Sequence, residues 1–85
     1  MHRGVLAAIH QFPAKRRAIE ELALKSETFR LLCTDLADAE AALYNWKGSD
    51  SPLKDERCAE YLSLVTALKT EILEILDAEQ SNAAE

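Results

Sequence analysis

Apolar side chains recur at Leu22, Phe29, Leu32, Leu36, Ala39, Leu43 and Trp46, in alternating steps of three and four residues, with Lys25 the only break in the series. Such steps put every member on one face of an α-helix, and Ile19 and Cys33 widen that face. Ala14 to Lys47 contains neither Gly nor Pro and is rich in good helix formers. The spacing predicts one continuous helix over 13–47. A second series, Cys58, Tyr61, Val65, Leu68, Ile72 and Ile75, steps the same way and is broadened by Leu62 and Leu76. It predicts a helix over 52–80. Between the two, Gly48 suits a left-handed helix stop, residues 48–51 form the turn, and Ser51-Pro52 reads as N-cap and first helical residue. Residues 1–12 form a short N-terminal segment, where Val5, Leu6 and Ile9 predict a small helix over Gly4 to Gln11 capping one end. Residues 81–85 read as a flexible tail.

A turn this short forces the two long helices antiparallel. At 1.5 Å per residue they are ~50 Å and ~42 Å long. Two helices leave each apolar stripe with one open side, and Leu24, Leu31, Leu64 and Leu73 fall off the main seams. The expectation is an all-α antiparallel helical hairpin that dimerises into a four-helix bundle through an isologous interface. Leu22, Phe29, Leu32, Leu36, Leu43, Trp46, Tyr61, Val65, Leu68, Ile72 and Ile75 are its expected core and self-association residues, with Tyr44 and Trp46 plugging the loop end.

Composition narrows the class. An 85-residue chain is near the lower limit for a lone core, yet 48% apolar residues and a net charge of -5 do not describe disorder. Two Gly and two Pro argue against loop-rich folds. Val5 to Ile9 is too short for a secretory h-region, and no apolar run approaches the ~20 residues of a membrane span. With two Cys there is no disulfide framework, so a reducing, cytoplasmic setting is expected.

Charge is unevenly spread. Residues 1–17 carry Arg3, Lys15, Arg16 and Arg17 and no acid, a formal +4. Residues 18–85 carry all 15 acids against the remaining six bases, a formal -9. Lys15, Arg16 and Arg17 stand at a helix start, where the helix dipole favours acids. They could hold an external anion or a nucleic acid. The antiparallel hairpin offers an internal answer, because it places them beside Glu71, Glu74, Asp77 and Glu79, equally misplaced at a helix end. Arg16–Glu20 and Arg17–Glu21 are also i,i+4 pairs. The acidic body repels phosphate backbones, so nucleic acid is not the expected partner.

Other chemistry is sparse. Cys33 and Cys58 fall on apolar stripes, ~12 Å out of register along the hairpin, beyond disulfide reach. His2 and His10 lie far from both, and no Cys-x-x-Cys or Glu-x-x-His spacing occurs. Glu20-Glu21, Asp38-x-Glu40 and Asp55-Glu56 read as solvated helix faces. No metal, cofactor or catalytic set is expected, and the chain reads as a non-enzyme.

Trp46-Lys47-Gly48 at the hairpin turn resembles the signature of the WXG family of small secreted hairpins. The resemblance implies a dimeric four-helix bundle and export by a specialised secretion system. That family's C-terminal Tyr-x-x-x-Asp/Glu signal has no counterpart after residue 80. Across Glu27 to Leu73, the pattern Phe29-x-x-Leu32-Cys33-x-Asp35, Ala42-Leu43-x-x-Trp46, Arg57-x-x-Glu60-Tyr61-x-x-Leu64 and Glu71-Ile72 is similar to small bacterial hairpin proteins of unknown function. This resemblance implies the fold and no activity. The leading expectation is a protein-binding or scaffold module, a homodimer with room for an unidentified protein partner. The alternatives are an anion or nucleic-acid accessory protein using Lys15, Arg16 and Arg17, and an exported WXG-like hairpin.

Overall fold

The computed structural model describes residues 2–83, with side chains through residue 79. It is helical throughout: α1 Arg3–Gln11, a 3₁₀ turn at Pro13–Lys15, α2 Arg16–Lys25, α3 Glu27–Lys47 and α4 Lys54–Ala83. The four helices pack against one another in a body 52 × 23 × 21 Å across.

The helix expected over 13–47 is not continuous. After the 3₁₀ turn the chain stops again at Ser26, which takes φ -130°, ψ 110°. In a straight helix the amides of Glu27, Thr28 and Phe29 would bond the carbonyls of Ala23, Leu24 and Lys25. Two of those groups find other partners here. Ser26 Oγ accepts from the Phe29 amide at 3.1 Å, and the Arg30 guanidinium donates to the Ala23 carbonyl. The ladder resumes on both sides, from the Ser26 amide to Leu22 O at 2.9 Å and from the Arg30 amide to Ser26 O at 3.1 Å. Ser26 is thus the N-cap of α3, with Glu27 in the first turn, where the dipole favours an acid.

The break lets the N-terminal segment double back. His2 caps α1, its Nδ1 accepting from the Gly4 amide at 3.1 Å. The chain then reverses at Phe12 and Pro13, and α1 and α2 form a small helical hairpin. This arm lies along α3, instead of capping one end of a longer hairpin as the sequence suggested. Its contact is close. A Cβ added at Gly4 would sit 2.5 Å from the Thr34 amide nitrogen and 2.7 Å from the Cys33 carbonyl carbon. Val5 and Ala8 of the arm join Phe29, Cys33 and Leu36 in one buried cluster. Burying a side chain such as Val5 stabilises by ~1.5–3 kcal/mol and the Ala8 methyl adds ~0.8 kcal/mol, against ~1 kcal/mol net for a backbone hydrogen bond. The kink therefore returns more than it loses. It also answers the open-sided stripe: the arm supplies a layer that a two-helix hairpin lacks.

α3 and α4 run antiparallel, with Asp35, Asp38, Ala39 and Ala42 facing Tyr61, Leu64 and Leu68. Gly48 is not left-handed; at φ -90°, ψ 3° it ends α3 in a conformation open to any residue. Ser49 Oγ accepts from the Ser51 amide at 3.0 Å, and Ser51 Oγ from the Leu53 amide at 3.1 Å. These bonds shape a turn, and α4 starts only at Lys54, so Ser51 and Pro52 precede the helix instead of serving as its N-cap and first residue. Helix α4 continues to Ala83, which makes 81–83 helical; the rest of the expected tail lies outside the described residues. Among the expected core residues, Leu22, Phe29, Leu36, Leu43, Val65, Leu68 and Ile72 are buried, while Leu32, Trp46, Tyr61 and Ile75 are half-buried. Leu76 is the sealed residue at the end of α4, ahead of Ile75, and Leu73 is half-buried. Tyr44 is 79% exposed and does not plug the loop end.

The two glycines should respond oppositely to alanine. Gly4→Ala drives a methyl into the backbone of α3, so denaturant unfolding should show a loss of ~1–3 kcal/mol despite alanine's helix propensity. At Gly48 the nearest atom to an added Cβ is Asn45 O at 3.8 Å, so Gly48→Ala should be neutral or stabilise by up to ~1 kcal/mol.

Candidate interaction surface

The basic cluster opens α2, and each of its cations has a carboxylate partner. Lys15 Nζ lies 3.4 Å from Asp77 Oδ1 on α4. Arg16 Nε donates to Glu20 Oε1 at 2.6 Å and Arg17 Nε to Glu21 Oε1 at 3.3 Å. Only Lys15 reaches the acidic end of α4; the two arginines stay within their own helix. Lys25, the break in the apolar series, makes a second crossing to Glu79 at 3.6 Å. Lys15, Arg17, Glu21, Lys25 and Glu79 line one open cleft of about 440 Å³, three bases against two acids, with the Asp77 partner of Lys15 just outside the lining. Arg3 pairs with Asp38, and Gln11 Nε2 donates to Glu40 Oε2 at 2.8 Å. These pairs are largely exposed, so each contributes ~0–1 kcal/mol.

The thiols lie apart in character. Cys33 is sealed beneath α1, and burial pushes its pKa from an ordinary 9.0 up to about 11. Cys58 is half-buried on α4, and both are free. Among the described residues no group of three or more His, Cys, Asp or Glu is placed to hold a metal ion, and no helix is long and apolar enough to cross a membrane.

One uncovered apolar surface lies on the side of α3–α4. Ala39, Ala42, Tyr61, Leu64 and Leu68 line a groove of about 400 Å³, with Asp35 and Asp38 at its edge. Leu64 is 45% exposed there. Leu31 is 59% exposed and falls on the same face of α3 as Asp35, Asp38 and Ala42, by the i, i+4, i+7, i+11 rule. A smaller recess of about 310 Å³ lies between the arm and the start of α3, lined by Val5, Glu20, Ala23, Leu24 and Arg30; Leu24 is 85% exposed at its edge.

The thiols give a check on this packing. Cys58 should react with a disulfide reagent at neutral pH, and Cys33 should not react until the fold opens. Below pH 9 the Cys33 thiol is neutral in both folded and unfolded chains. Between 9.0 and about 11 only the unfolded chain ionises, so folding stability should fall by about 2–3 kcal/mol across that window. Cys33→Ala should remove that part of the alkaline loss in urea titrations run at pH 8 and 11.

Comparison with known proteins adds no constraint: the chain matches no protein-family model, no curated protein and no solved structure.

Proposed function

We propose that the protein is a non-catalytic interaction module whose α3–α4 groove docks a second copy of the same chain, the two pairs of helices forming a four-helix layer. The observation that carries this reading is the apolar groove with Leu64 raised at its side and Leu31 further along the same face of α3. The area is sufficient. Helix α3 is ~31 Å long and a helix pair ~20 Å wide, which offers roughly 600 Å² per copy. The total of ~1,200 Å² clears the ~1,000 Å² that a specific interface needs. An isologous pairing covers both grooves with one contact. The balanced charges around Lys15, Arg16 and Arg17 favour this reading over an anion site, since each cation already faces a carboxylate.

Sedimentation should show a concentration-dependent dimer. Because the chain carries a net charge of -5, the copies repel, and added salt should tighten the dimer by screening. A nucleic-acid complex would weaken with salt instead. Leu64→Lys places a charge in the groove at a half-exposed position; it should weaken dimerisation at least tenfold while leaving stability within ~0.5 kcal/mol. A chain that remains monomeric at high concentration, or a dimer indifferent to Leu64→Lys, overturns the reading; a monomer that captures a different protein through the same groove makes that protein the occupant.

A further inference from the structure

The kink at Ser26 separates a basic arm, residues 2–25, from an acidic body, and the arm's binding face on α3 is the same in every copy of the chain. We propose that the arm is exchangeable: Ser26 is a hinge, and when the helix straightens through it the α1–α2 arm packs on α3 of a second copy instead of its own. This goes beyond the groove reading and uses a different face of α3.

The hinge has two workable conformations. The link between α2 and α3 is the single residue Ser26, and no Gly or Pro occurs from Ala14 to Lys47 to oppose a straight helix. Straightening restores the backbone bonds of Glu27, Thr28 and Phe29. It gives up the Ser26 cap on Phe29 and the Arg30 bond to Ala23. Gains and losses are of the same kind and nearly equal in number, so the backbone favours neither state strongly.

Geometry makes the two states exclusive within one chain. Val5 lies beside Ala23 of α2, so in a straight helix Gly4 would stay near that level. Thr34, its present neighbour, is roughly eleven residues, or ~16 Å, further along the axis. An opened arm therefore loses α3 of its own chain and leaves Phe29 and Cys33 uncovered. Contacts that hold the arm can re-form between copies: the Gly4 backbone approach, the burial of Val5 and Ala8, and the Arg3–Asp38 and Gln11–Glu40 bonds. None of them involves Ser26. Charge suits the exchange, because residues 2–25 carry five bases against two acids, a formal +3, and residues 26–85 five bases against 13 acids, a formal -8, so the arm of one copy is attracted to the body of another. Exchange of an identical element across a short hinge is a low-cost route to a dimer.

The test uses Gln11→Cys and Glu40→Cys in one chain with Cys58→Ser, joined by a short bis-maleimide. The closed form gives an intrachain link and a monomer band; an exchanged arm gives an interchain link and a dimer band. Ser26→Ala removes the cap and favours the straight helix, by about five- to tenfold per chain. Two hinges then raise the dimerisation constant by roughly 25- to 100-fold. Ser26→Asp keeps the cap and should behave as the unaltered hinge. Adding Gly4→Ala to Ser26→Ala should abolish the interchain product, and Leu64→Lys should leave it in place.

The idea is overturned if Ser26→Ala stays helical by circular dichroism yet gives only intrachain links. It is equally overturned if Ser26→Asp gives as much interchain product as Ser26→Ala, or if Leu64→Lys removes that product. Should Ser26→Ala fail to fold, the unaltered hinge decides. Its interchain fraction must rise with protein concentration, and a fraction fixed at zero up to millimolar chain ends the proposal.

Discussion

At Ser26 the backbone leaves the helix at φ -130°, ψ 110°, and what lies on either side of the kink follows from that departure. Upstream, α2 ends with Arg30 on its Ala23 carbonyl; downstream, α3 starts with its first turn capped. The kink turns α2 out of line with α3 and brings α1 back alongside it. Only then can Gly4 rest on the Cys33–Thr34 backbone and Val5 and Ala8 enter the cluster around Phe29 and Cys33. An 85-residue chain cannot afford a stripe left open to water; here the N-terminal residues close it. Gly4 sets how near the arm can come, since any side chain there would meet backbone, which cannot move aside as a side chain can.

Much of this was readable beforehand, and the exceptions have definite causes. The three-four spacing from Phe29 to Leu43 and from Tyr61 to Ile72 reports which face is buried, because periodicity is a property of one helix and needs no knowledge of its neighbours. Turn chemistry is local as well: Ser51 bonds the Leu53 amide, although α4 begins at Lys54 and not at the Pro52 that Ser51-Pro52 suggested. The i,i+4 pairs from Arg16 and Arg17 likewise need only their own turn. Tertiary consequences were hidden. Summed helix propensity over Ala14 to Lys47 gives Ser26 little weight, yet a local signal existed. Lys25 interrupts the apolar series, and Ser26-Glu27 is an N-cap followed by a first-turn acid, preceded by a base in the last turn of the helix before it. The arm's docking on α3 was not readable at all, because it depends on the missing Cβ of Gly4 meeting a distant stretch of backbone. Gly48 invited the opposite error: a glycine at a helix end suggests a left-handed turn, but φ there is -90°.

The charge asymmetry has a similar explanation. Arg3–Asp38, Lys15–Asp77 and Lys25–Glu79 all join the arm to the body, whereas Arg16 and Arg17 are absorbed by their own helix. Exposed pairs contribute ~0–1 kcal/mol each, which is too little to hold the arm against the entropy of releasing it. Apolar burial at Val5 and Ala8 holds it, charge draws it to the acidic body, and the close approach at Gly4 selects where it settles.

Under the proposed pairing, two faces of α3 would carry different kinds of specificity. The face under α1 is read by shape, through a glycine whose added Cβ would meet backbone and a thiol sealed from solvent. In the proposed dimer the face toward Leu64 would be read by apolar area, with Asp35 and Asp38 at its edge and no comparable close fit. A shape-read contact is hard to form with any chain except this one, since it requires the backbone of α1 against the backbone of α3. An area-read contact is permissive, and any helix pair of similar length and hydrophobicity could occupy it. If both faces engage second copies, the arm contact specifies the partner's identity and the groove adds affinity; in that division of labour, the residue that most limits promiscuity is Gly4, the one with no side chain.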